Sequence, residues 1–173
     1  MRNFFHRFRK VHTVPLRAET EMLESALFLE EMARVCLQFM IEQIHNGNVR
    51  RECQIFLKEA MLAQNQLRGF LPDPSASQSK IEGMAQAHGI DPSHFSLVGV
   101  IERALHYSCQ RWNIYRYLSL HTSGGESAKL LQRSMDRAWK EIKFLKNEER
   151  FQREREAEKP FQWSVAVAPG VLR

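Results

Sequence analysis

The sequence predicts an all-α protein: a four-helix bundle whose second and third helices are joined by a long crossover that contains a short helix of its own. Three observations carry this. Apolar residues recur at helical spacing through four segments between residues 19 and 150. Residues that stop helices separate them: Asn46, Gly47 and Asn48, then Pro72 to Ser75, then Ser123, Gly124 and Gly125. The connection from Pro72 to Pro92 is also longer than an ordinary turn.

The first helix is expected from Thr20 to about His45. Leu23, Leu27, Leu37, Ile41 and Ile44 fall on a heptad-like seam, and Glu30 and Arg34 occupy its two remaining positions. The second is expected from Val49 to about Leu71, with a seam of Val49, Cys53, Phe56, Ala60, Ala63, Leu67 and Phe70; Glu59 lies next to it. Within the crossover, Ser79 and Glu82 have capping-box spacing and Gly89 follows as a stop. Asp91 and Pro92 read as the start of the third helix, whose seam is Val98, Ile101, Leu105, Cys109, Trp112, Tyr115 and Leu118, with Glu102, His106 and Asn113 on a polar stripe. The fourth carries Leu131, Met135, Ala138, Ile142 and Leu145, and from Lys146 to Lys159 has too little apolar surface to bury, so that part is expected to project into solvent.

At 173 residues, 43% hydrophobic and 26% charged, the chain has one domain's worth of core and no apolar run that could span a bilayer. It divides into a basic N-terminal arm (1–18), the bundle (19–150), and a charged helix extension with a C-terminal tail (151–173). The net charge of +5 belongs to the arm, where Arg2, Arg7, Arg9, Lys10 and Arg17 face no acid; the rest of the chain balances. A neutral body argues against a folded nucleic-acid reader, leaving the arm as a poorly ordered terminus, a weak membrane-surface helix, a transit-like leader or a phosphate-binding extension. In the tail, Phe161, Trp163, Val165 and Val167 alternate with smaller or polar residues, the pattern of an extended segment docked on its own bundle or on a protein partner. Cys36, Cys53 and Cys109 lack CxxC spacing and fall within helical apolar patterns, as reduced core thiols of a cytoplasmic protein would.

Carboxylates and histidines facing inward from several helices are what a dinuclear iron or manganese site in a bundle requires. Glu30 and Glu59 supply the first half, Glu102 and His106, spaced i, i+4, part of the second; Asp136 and Glu141 lie on the fourth helix. The competing arrangement is internal pairing, of Glu30 with Arg34 or another basic group, and of Glu59 and Glu102 with Tyr, Trp or His side chains. The ordering MLESALFLEEM, NGNVRRECQIFLKEA and ALHYSCQRWNIYRYLSLHTSGGESAKLLQRSMD, over residues 22–146, resembles the bacterial ferritin-like proteins of the YciE/YciF type, small stress-associated four-helix proteins. The resemblance implies a ferritin-like bundle in which Glu30 and Glu59 coincide with metal-binding carboxylates. Acids expected around the His106–Tyr107 pair fall on Leu105 and Ser108, and part of the acidic cluster of the fourth helix on Ala138.

Two functions are therefore expected. The first is a non-catalytic, stress-associated structural or interaction protein with a degenerate metal site and no cofactor, self-associating as a homo-oligomer. The second is a metal-binding oxidase or storage protein holding iron or manganese at a partial site formed by Glu30, Glu59, Glu102 and His106.

Overall fold

The computed structural model describes residues 16–88, 94–122 and 125–158. The basic-arm residues Arg2, Arg7, Arg9 and Lys10, the tail residues Phe161, Trp163, Val165 and Val167, and the helix signals Gly89, Asp91 and Pro92 lie outside this range. The described residues form five α-helices: α1 (Leu16–Gln43), α2 (Gly47–Arg68), α3 (Pro74–His88), α4 (Leu97–His121) and α5 (Gly125–Ala157). No helix among them is long and apolar enough to cross a membrane.

Local chemistry sets most of the helix boundaries, in places against expectation. α1 begins at Leu16, inside the segment read as the arm, because Leu16, Arg17 and Ala18 are good helix formers that extend its first turn. Asn46 starts a helix instead of ending one: its side chain accepts hydrogen bonds from the backbone N–H groups of Asn48 and Val49, capping α2. α2 closes at Arg68 through three successive tight turns ending at Gly69, Phe70 and Leu71. The cap of α3 is Asp73, which accepts from the N–H groups of Ser75 and Ala76, with Pro74 following where a missing N–H is harmless. Ser79, expected to cap this helix, lies inside it and bonds back to the Ser75 carbonyl. Ser96 caps α4 through the Gly99 N–H. Gly125 opens α5 with φ 80°, a conformation that favours glycine.

The pairings reveal the directions of the helices. Ile44 meets Arg50 at the turn while Glu31 meets Gln64 far from it, so α1 and α2 are antiparallel. Trp112 meets Trp139 and Glu102 meets Arg153, so α4 and α5 are antiparallel too. α1 packs on α2, α3 and α4, and α4 shares its largest interface with α5; α2 and α5 touch only slightly. α3 is pinned to α1 by the buried carboxylate of Glu24, which accepts a hydrogen bond from Ser77 at 2.8 Å and pairs with Lys80.

The apolar core is in two pieces. One gathers Leu27, Leu29, Met32, Leu67, Ile81, Tyr115 and Leu131; the other gathers Cys36, Leu37, Met40, Phe56, Ile101, Ala104 and Leu145. The end of α5 is mostly exposed, as expected, with two exceptions. It runs unbroken through residues 146–157 and buries Glu148 and Gln152, which bond to each other, because long polar side chains pack by their stems.

The cap of α2 can be tested by substitution. Asn46→Ala removes the acceptor for two N–H groups and should cost about 1 kcal/mol, read as a lower urea midpoint at unchanged m-value.

Candidate functional site: a buried layer of ion pairs

Between the two apolar clusters lies a layer of charge. α4 presents Ser108 and Arg111 inward, flanked by Ala104 on one side and Tyr115 on the other; α5 presents Ser134, Arg137 and Glu141 between Leu131 and Leu145; α1 presents Glu30. On α4 the buried positions Ile101, Ala104, Ser108, Arg111, Tyr115 and Leu118 alternate spacings of three and four, an uninterrupted heptad face with polar residues in its middle.

Glu30 is the hub and has no solvent exposure. Its Oε2 accepts from Nη1 of Arg111, and its Oε1 accepts from Nη2 of Arg137 and from the Tyr115 hydroxyl at 2.5 Å. Arg111, equally buried, reaches on with Nη2 to Glu141 Oε1 at 2.6 Å and to the Ser108 hydroxyl at 3.0 Å. The Ser108 oxygen lies 2.7 Å from both Glu141 Oε1 and the Ala104 carbonyl. Two carboxylates and two guanidiniums thus join α1, α4 and α5 in a layer of zero net charge.

Burial by itself would push the Glu30 carboxyl up, but the charges of Arg111 and Arg137, with hydrogen bonds from Arg137 and Tyr115, outweigh it and hold the group below the usual carboxylate range. Tyr115 goes the other way: burial and the Glu30 charge push its hydroxyl well above the ordinary value, so it remains a donor. Satisfaction is incomplete. Nε of Arg111, Nε and Nη1 of Arg137 and Oε2 of Glu141 are buried without a hydrogen-bond partner among the described residues. Such a layer costs desolvation that its pairing only partly offsets.

The four residues expected to converge on a metal do not. Glu30 is inside, but its oxygens are engaged by arginines. Glu59 is exposed on α2, because its helical neighbours Ala60 and Ala63 take the inward positions. Glu102 is exposed and pairs with Arg153, and His106 is exposed with a ring nitrogen 2.9 Å from the Gln110 amide nitrogen. Of the competing arrangement, Glu30 is paired with basic groups as expected, but these are Arg111 and Arg137 from other helices, while Arg34 binds Glu31. Among the described residues no group of three or more His, Cys, Asp or Glu is placed to hold a metal ion. The donor set around Glu30 does not suit one either, because cationic guanidiniums occupy the positions beside it.

The cysteines are free, and burial pushes the Cys36 and Cys53 thiols up to about 12, with nearby Glu148 and Glu141 adding to the effect at Cys53. Neither is a thiolate nucleophile at neutral pH. No family model, curated protein or solved structure matches the chain.

Breaking the layer should cost more than removing it. Arg111→Met leaves the buried Glu141 without its ion-pair partner and Glu30 with Arg137 alone, and should cost about 3–5 kcal/mol. Replacing the whole set with apolar residues (Glu30→Met, Arg111→Met, Arg137→Leu, Glu141→Leu, Tyr115→Phe) should cost far less, or stabilise, as measured by urea unfolding of both variants. The layer also makes stability depend on pH. Because the Glu30 carboxyl titrates lower in the folded than in the unfolded chain, its contribution is complete above about pH 4.3 and is lost as pH falls through the folded value. Unfolding free energy of the wild type should fall more steeply on acidification below about pH 4 than that of Glu30→Gln, by up to about one proton's worth of slope.

Proposed function

We propose that the chain is a ferritin-like four-helix bundle of the stress-associated bacterial type in which ion pairs have replaced the metal centre, and that it acts as a non-catalytic structural or interaction protein. The topology supports the ferritin-like reading. α2 and α4 both run antiparallel to α1 and so run the same way, as Cys36 lies near Arg103 and Glu30 near Tyr115. The chain between them passes through α3, which packs along α1. Two helices of the same sense can be joined only by a connection that returns along the bundle.

One observation carries the functional reading: at mid-bundle, where a dinuclear protein directs carboxylates at two cations, Arg111 bridges Glu30 and Glu141 and Arg137 pairs with Glu30. Two guanidiniums neutralise two carboxylates electrostatically, as divalent ions would, but are covalently fixed, redox-inert and always charged. The layer therefore joins three helices and offers no open coordination position. Self-association is supported by the outer faces of α4 and α5, where Leu120 is 73% and Trp139 45% exposed.

Elemental analysis after metal-replete expression tests this. Below about a tenth of an equivalent of iron, manganese or zinc per chain is expected, since Glu30 is held by arginines and Glu59, Glu102 and His106 do not converge on it. Stoichiometric metal that disappears in Glu30→Gln would overturn the reading in favour of a metal-binding oxidase or storage protein.

A further inference from the structure

α2 and α5 share a thin interface, and between them lies a cleft of about 360 Å³ lined in part by Leu62, Ala63, Glu59, Arg133, Asp136 and Lys140. Its exposed apolar surface continues beyond the cleft toward the C-terminal end of α5. Ile55 and Leu62, two helical turns apart on α2, are 39% and 59% exposed. Phe151, 45% exposed, lies two turns beyond Phe144, whose ring packs against Phe56 of α2 at 5.4 Å. Apolar residues thus mark a line along the α2–α5 seam to the point where α5 stops.

The charges in the cleft balance, Glu59 and Asp136 against Arg133 and Lys140, and Arg137 is committed to Glu30. Nothing there demands an ionic ligand. What it suits is an uncharged, apolar, extended segment that can lie over the aliphatic stems. The chain supplies one immediately after α5: Pro160 cannot continue a helix, and from Pro160 to Ala168 there is no charged residue while Phe161, Trp163, Val165 and Val167 occupy every second position.

We propose that residues 161–167 fold back on the same chain and occupy the α2–α5 groove, with these four side chains toward it. The lengths agree. Counted from Glu158, an extended chain advances about 3.3 Å per residue against about 1.5 Å in a helix. Phe161 then comes level with Phe151, Val165 with Ile55 and Val167 with Leu62, each to within a helical turn. A segment tethered three residues from the groove has an effective concentration of order millimolar, which places it ahead of a separate partner. Its docking is independent of the fate of the metal centre.

The test uses the full-length chain carrying Ile55→Cys and Val165→Cys, oxidised mildly at low protein concentration, with links assigned by peptide mass mapping so that bonds to native cysteines are distinguished. The control pair is Leu120→Cys with Val165→Cys, since Leu120 is exposed at the opposite end of the molecule. An intrachain link between the thiols introduced at positions 55 and 165, forming at least about tenfold faster than the control link, is expected from the tethered geometry. Equal rates for the two pairs would overturn the proposal, and so would a link found only between chains, which would seat the segment on a second copy. Ile55 is exposed, so its replacement leaves the core untouched.

Discussion

Glu30 constrains this molecule more than any other residue. A carboxylate without access to water must find its partners inside, and each of its partners belongs to another helix: Arg111 and Tyr115 to α4, Arg137 to α5. A one-residue slip or a rotation of either helix would leave a buried charge alone, which is far costlier than the loss of any one apolar contact around it. Apolar clusters above and below tolerate small adjustments of packing; the charged layer between them does not. It sets the register that Leu27 and Leu131 on one side, and Leu37 and Leu145 on the other, then fill.

α2 stands apart from this arrangement. It contributes no member to the layer and is held by the turn at Asn46, by apolar contacts on α1 through Cys53, Phe56, Ala60 and Leu67, and by the bond from Gln64 to Glu31. Its contact with α5 is correspondingly slight. The open seam of the protein and its ionic layer have one origin: charge fastens three of the four long helices together, and the fourth is attached mainly along one flank.

Such an interior has little chemistry to offer. Glu30 is held below the usual carboxylate range by its arginines, Tyr115 is pushed well above its ordinary value, and burial keeps the Cys36 and Cys53 thiols protonated. Its exposed large apolar side chains, Trp139, Leu120 and Leu62 among them, lie on the outer faces of the helices.

By itself the sequence determined the helical class, the seam of α2, the inward position of Glu30 and the length of the connection carrying α3, because helical periodicity and punctuation are local properties read within a few turns. Tertiary structure decided the rest. Residue type places the face of α4 on Leu105, Cys109 and Trp112, which are only half-buried, because Ser108 and Arg111 are residues that ordinarily face water. The spacing 101, 104, 108, 111, 115, 118 is legible in the chain, yet nothing local marks an arginine as buried. That depends on acids 81 residues earlier and 30 residues later arriving beside it. For the same reason Glu59 and Glu102 cannot be told from Glu30 and Glu141 along the chain: a carboxylate's role is set by whether a cation waits across the interface, and only the packing of helices distant in sequence brings one there.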